Sequence, residues 1–143
     1  MSVPTGFIDE FVRRIVERIY RAFLEGIERL IEDSEGLRNY FRSFIAKLKT
    51  LTESTETEWD DYLVKALEYV IDNDDAWAFV YEKIRDLYHM IVDDDEKVGT
   101  VRTFDDVALT VEAERLGLNP VLIITIIRFA IEAFKWWRER KNA

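Results

Sequence analysis

No cysteine occurs among the 143 residues, so a disulfide framework and a thiolate zinc site are both excluded. Proline appears only as Pro4 and Pro120, which leaves long helices unopposed between them. The five glycines stand apart from one another and build no phosphate-binding loop. Histidine occurs once, as His89, so a Ser-His-Asp triad could form only around it, and no G-x-S-x-G elbow accompanies it. A basic stripe of the kind that displaces phosphate counterions is also missing, and no direct nucleic-acid binding is expected.

What is present suits a packed helical protein. Hydrophobic residues make up 48% and aromatics 13%, enough for a core, which rules out general disorder. The length fits a single domain over residues 1–143, with possible sub-units 1–52 and 55–143 joined by a short polar loop. Residues 1–30 spread their arginines along a helical pattern and end in no small-residue cleavage site; the expected compartment is a reducing cytoplasm. The net charge of −9 is uneven. Residues 51–100 hold fifteen acidic and four basic side chains, net −11, between two segments of net +1 each. Such a block keeps a particle soluble, or mimics nucleic acid towards a basic partner.

Helical spacing runs through the chain. From about Gly6 to Asp33, Ile8, Val12, Ile15, Val16, Ile19, Phe23, Ile27 and Leu30 recur at steps of three and four. Several are eleven apart, a repeat that suits a nearly straight helix. The opposite face pairs Glu10 with Arg14, Glu17 with Arg21 and Glu25 with Arg29 at i,i+4 and reads as solvated. Ser34 and Gly36 punctuate the chain before a second helix that carries Leu37, Tyr40, Phe41, Phe44, Ile45 and Leu48 and fades near Thr52. Thr55 with Glu58, or Thr57 with Asp60, caps a third helix whose buried face is Trp59, Tyr62, Leu63, Ala66, Leu67, Val70 and Ile71. Asp72 to Asp75 break it and cap a fourth, with Trp77, Val80, Tyr81, Ile84, Leu87, Tyr88 and Ile91 inward; the short connection predicts an antiparallel hairpin. Residues 93–103 read as a long loop. Thr103 with Asp106 then caps a fifth helix ending at Leu116, and Gly117 is a natural stop. Asn119 caps the last helix, with Pro120 in its first position.

No chemical constellation emerges from these elements. Asp86 lies three residues before His89, half of a di-iron pattern whose second half is missing, so His89 reads as a surface or core-edge residue. The acidic runs 72–75 and 93–96 fail the calcium-loop pattern, since Ala76 and Lys97 stand at the fifth position and no Gly follows. Asp60 and Asp61 point about 100° apart on a helix and share no acid–base site. Ala113, Gly117, Leu118, Ile123 and Ile126 match the core spacing of a helix-turn-helix. The second helix, however, offers Val121 to Ile127 where a DNA reader needs polar side chains, so this is a packing corner. No cofactor and no metal are expected.

The last segment is the most apolar. Between Val121 and Phe134 only Thr125, Arg128 and Glu132 interrupt the run, and Trp136, Trp137 and a basic tail follow. The spacing allows Arg128 to pair with Glu132. Such a helix is central in its own domain, or is covered by another copy or partner. A membrane span is the weakest reading, because the run falls short of the ~20 residues needed and Arg128 would sit at mid-depth.

The segment from Thr55 to Val64 forms a T-x-T-x-x-D-D-x-x-V pattern, and it resembles short helical proteins of tailed bacteriophages, several of them holin-like or of unknown function. The long first helix and the length beyond the motif depart from those proteins. The resemblance implies a virion or assembly component more readily than an enzyme, and no residue role comes with it.

The expectation is therefore an all-α helical bundle of about six helices, with a long amphipathic first helix and a strongly apolar last one. Its expected role is that of a non-enzymatic structural or interaction protein, a self-associating phage component located in the virion or host cytoplasm. The alternatives are an acidic inhibitor that mimics nucleic acid and a membrane-associated, holin-like protein. The partner is protein: a homo-oligomer or other virion subunits. The expected contact residues are Trp136, Trp137, Arg128, Ile124, Ile127, Phe134, Phe11 and Phe23.

Overall fold

A computed structural model describes residues 5–53, 58–93 and 105–141, with the side chains of 5–12, 51–53, 58–61, 91–93 and 141 left aside. Six helices and no strand occupy the described residues: α1 Thr5–Leu30, α2 Ser34–Glu53, α3 Glu58–Asp72, α4 Asp74–Asp93, α5 Asp106–Arg115 and α6 Pro120–Lys141.

Local chemistry sets the boundaries. The Asp33 carboxylate accepts the Gly36 N–H at 3.0 Å and caps α2, so Gly36 lies inside the first turn instead of breaking it. Asn73 alone separates α3 from α4, and its side-chain oxygen accepts from the N–H groups of Asp75 and Ala76 at 3.0 and 3.1 Å. The cap of α5 is Asp105, which accepts from the Val107 N–H; the expected cap residue Thr103 lies outside the described residues. Gly117 adopts φ 74°, a left-handed conformation that lets Leu118 N–H reach back to the Ala113 carbonyl at 2.8 Å and end α5. Asn119 then caps α6 through the N–H groups of Val121 and Leu122. The predicted caps at Thr55 and Thr57 and most of the predicted 93–103 loop lie outside the described residues.

The turns are fastened by side chains from neighbouring helices. Tyr81 of α4 donates to the Ile31 carbonyl at 2.6 Å, just beyond the end of α1. Arg38 of α2 donates through Nε to the Ile71 carbonyl at 3.0 Å in the last turn of α3, and pairs with Asp74 at 2.8 Å at the start of α4. The Trp77 indole donates to Ser34 Oγ at 2.9 Å, and the Asn119 N–H donates to the Tyr69 hydroxyl at 2.9 Å. Carbonyls at helix ends have no partner within their own helix, so the bonds from Tyr81 and Arg38 remove an otherwise uncompensated cost of burial.

One apolar cluster joins the helices. Phe23 is stacked on Phe41 at 5.5 Å and meets Phe129 edge-on at 5.0 Å, linking α1, α2 and α6. Phe41 meets Trp77 of α4 edge-on at 5.8 Å. The α6 helix packs against α1, α3, α4 and α5, and buries Ile123, Ile126, Ile127, Ala130, Ala133 and Phe134. Its apolar character is thus met largely inside the chain, as expected for a central helix. Apart from Arg140, what remains exposed follows one stripe at steps of four and three: Val121, the half-buried Thr125, Arg128, Glu132, Lys135 and Glu139.

Candidate functional site

Residues later in α6 meet earlier residues in α1. Phe129 lies against Phe23, Trp136 lies 5.8 Å from Tyr20, and Arg140 pairs with Glu17 at 2.6 Å. The two helices therefore run antiparallel. This corrects the pairing expected for Glu17 with Arg21, while Arg14, Arg21, Glu25 and Arg29 are exposed as a solvated face requires. Glu17 is held by Arg140, while Arg21 and Arg140 lie over the Trp136 ring at 5.8 and 5.0 Å. The cationic end of α6 closes over α1 and covers part of the face expected to be solvated.

Where α1, α3 and α6 meet, their contact opens into a groove of about 370 Å³. Val16 and Tyr20 line it from α1, Tyr62 and Leu63 from α3, and Thr125, Arg128, Phe129 and Glu132 from α6. Leu63 is buried at its base, whereas Tyr62 is 60% exposed. Burial pushes the Tyr20 hydroxyl above its ordinary pKa of 10.0, and the Glu132 charge raises it further. The groove surface is thus largely apolar, with the hydroxyls of Tyr20, Tyr62 and Thr125 and two opposite charges along the α6 lip. Its size falls within the range of ligand and peptide clefts. Among the described residues, four other large apolar side chains are exposed, Val107, Val111, Leu116 and Val121, and none of them lines it.

Arg128 does not take the partner that its spacing offered. Its Nε lies 3.2 Å from the Asp106 carboxylate at the start of α5, and one Nη binds the second oxygen of that carboxylate. This two-point pair raises the guanidinium pKa above its ordinary value, through the hydrogen bond first and the Asp106 charge second. Glu132 instead faces Lys135 at 3.8 Å.

The expected contact residues separate into three groups. Phe23, Ile127 and Phe134 are at most 1% exposed and belong to the chain's own core. Ile124, Trp136 and Trp137 are half-buried against that core, with Trp137 lining a small cavity beside Leu24, Tyr88 and Phe134. Only Arg128 stands exposed, on the groove lip. Phe11 lies outside the described side chains. The spacing argument placed Val16 on the apolar face of α1 and Tyr62 and Leu63 on the buried face of α3, and named none of them, nor Tyr20, as contact residues; Leu63 is buried as expected, but Tyr62, at the groove edge, is exposed instead. Tyr62 carries the one signal that sequence offered, an aromatic residue on the acidic start of α3.

His89 bonds Glu32 at 2.7 Å, and Arg85 pairs with the same carboxylate at 3.1 Å, tying α4 to the α1–α2 turn. Asp86 is not the partner in that contact. Among the described residues, no group of three His, Asp or Glu side chains is placed to hold a metal ion. Among them, too, no helix is long and apolar enough to cross a membrane. No protein-family model, no curated protein and no solved structure matches this chain.

Proposed function

We propose that this chain is a non-enzymatic structural protein that works by self-association through the α1/α3/α6 groove, as a component of a phage particle or of its assembly. The groove itself carries the reading. Its walls are Val16, Leu63 and Phe129, its mouth is flanked by charges of both signs, and the exposed Tyr62 ring stands at its edge. Apolar walls with a mixed polar rim suit a protein surface, which is anchored by buried rings and steered by charges at its edge. A polar substrate would find only three hydroxyls and the lip charges for orientation. The particle setting comes from the likeness of the Thr55–Val64 segment to phage proteins. Neighbouring genes for capsid or tail proteins would support that setting, and a purely metabolic neighbourhood would contradict it.

Amide exchange followed by mass spectrometry tests the surface. Raising the protein from about 1 μM to about 100 μM spans the affinities common for weak assemblies. Peptides covering 60–66 and 121–132 gain protection on this reading, while peptides from the middle of α2 stay constant. Exchange in the groove peptides that is indifferent to concentration contradicts it.

A further inference from the structure

We infer that the groove's partner is a second copy of the chain, docked about a two-fold axis with the α6 stripes antiparallel, so that Arg128 of each copy pairs with Glu132 of the other. This rests on the self-association reading and specifies its geometry. The argument begins with the order of charges. Along the α6 lip the signs alternate, Arg128, Glu132, Lys135, Glu139, one turn apart. A parallel arrangement in register sets Arg128 on Arg128 and Glu132 on Glu132. An antiparallel one centred between residues 128 and 132 sets Arg128 on Glu132 twice, Lys135 on Thr125 twice and Glu139 on Val121 twice. One centred between 132 and 135 sets Arg128 on Glu139 and Glu132 on Lys135. Both antiparallel registers are self-complementary, as a two-fold contact must be, and the first places the axis over the groove, whose α6 lip carries Arg128 and Glu132 but neither Lys135 nor Glu139.

Two further observations fit that arrangement. Asp106 occupies only the Nε side of the Arg128 guanidinium, and a guanidinium carries five N–H donors, so Nη1 can serve a second carboxylate without breaking the first pair. Asp106 also fixes Arg128 in position before docking, which lowers the ordering cost of the contact. Tyr62 is the one strongly exposed ring among the described groove residues, at 60%. Under the two-fold axis, each copy's Tyr62 is presented to the other's groove, where Val16, Leu63 and Phe129 supply apolar walls.

Charge exchange tests the register. R128E and E132R each place like charges at both symmetric contacts and weaken the wild-type dimer at least about tenfold, by sedimentation. In an equimolar mixture, a chain carrying R128E and a chain carrying E132R again set opposite charges at both contacts, and the dimer returns. E132R leaves the Asp106 pair in place, and E139R sets like charges only in the register centred between 132 and 135, so a dimer weakened by E132R and indifferent to E139R decides the register if R128E loses its circular-dichroism signature. A wild-type dimer indifferent to E132R, or single variants that weaken it without recovery on mixing, overturns this geometry and leaves self-association standing. A wild type that stays a single chain at every concentration overturns both and leaves the groove to a different protein.

Discussion

The ring of Tyr40 crosses α1 directly over Gly26, the one position on that stretch with no side chain to exclude it. A Cβ built at Gly26 clashes with one edge of the ring, and the Tyr40 hydroxyl donates to the Ala22 carbonyl one turn earlier. This close approach joins α1 to α2 beside the Phe23–Phe41 stack. Alanine favours a helix over glycine by about 1 kcal/mol, so an unpacked glycine would gain stability on Gly26→Ala. Here the substitution displaces a ring held at both ends. The expected outcome is a loss of about 1–3 kcal/mol in urea unfolding, the range for an overpacked contact. A gain would mean that the close approach does not constrain the fold.

Tyr40 and Tyr81 also predict how stability depends on alkaline pH. Burial pushes both hydroxyls above the ordinary 10.0, with Glu25 adding to the effect at Tyr40 and Arg29 opposing it. At Tyr81, Arg85 opposes the effect of burial, and Glu32 and Asp33 add to it. Below the unfolded pKa both states keep their protons, and the contribution is fully present. As pH rises above it, the unfolded chain ionises first, and the contribution is lost as pH passes the folded value. Tyr40→Phe and Tyr81→Phe each lower stability at neutral pH by about 0.5–1.5 kcal/mol, the worth of one hydrogen bond. Together they make the fall in stability above about pH 10 shallower. Denaturant midpoints measured across that interval check both effects, and an unchanged alkaline slope counts against these tyrosines as its source.

Arg38 holds three helices at one point, since it stands on α2, caps the end of α3 and pairs with Asp74 on α4. Its side chain is only 12% exposed, while that of Asp74 is 90% exposed. The carbonyl bond therefore matters more than the ion pair. Arg38→Met keeps the stem and removes the donors, and lowers stability by about 1.5–3 kcal/mol. Asp74→Asn costs under about 1 kcal/mol. Equal losses in the two variants, read from thermal and urea unfolding, would contradict that order.

At Gly117 the constraint is backbone conformation alone, because a Cβ there meets nothing within 4 Å and φ is +74°. Gly117→Ala costs about 1–2 kcal/mol, and Gly117→Asn costs less, since asparagine tolerates the left-handed region. Identical stability of Gly, Asn and Ala variants would show that the turn between α5 and α6 relaxes freely.

The sequence displayed what a single helix or a short turn determines by itself. The six helices and the Gly117–Asn119–Pro120 corner follow from periodicity and capping chemistry, and all are present; the break expected over Asp72 to Asp75 narrows to Asn73 alone, with Asp72 ending α3 and Asp74 and Asp75 opening α4. What required three dimensions was the choice between equivalent partners. Arg128 had Glu132 at i,i+4, yet Asp106 on α5 offers both carboxylate oxygens to the fork of the guanidinium. Glu17 had Arg21, yet the end of α6 brings Arg140 over that face. Phe23, Ile127 and Phe134 were read as contact residues because they are large and apolar, and spacing does not say whether the cover comes from the same chain. The groove was hidden for the same reason. A gap among three helices depends on how far apart their axes pack, and no single helix encodes that distance.

Sedimentation equilibrium of the wild type beside Tyr62→Arg tests self-association through the groove most directly. Tyr62 is exposed, so the substitution leaves the core intact and places a charge at the groove mouth. Between about 1 μM and about 100 μM, the wild-type mass should climb from one chain towards two while the variant stays at one. A wild type that remains at the mass of one chain throughout, or a variant that associates as well as the wild type, contradicts the account.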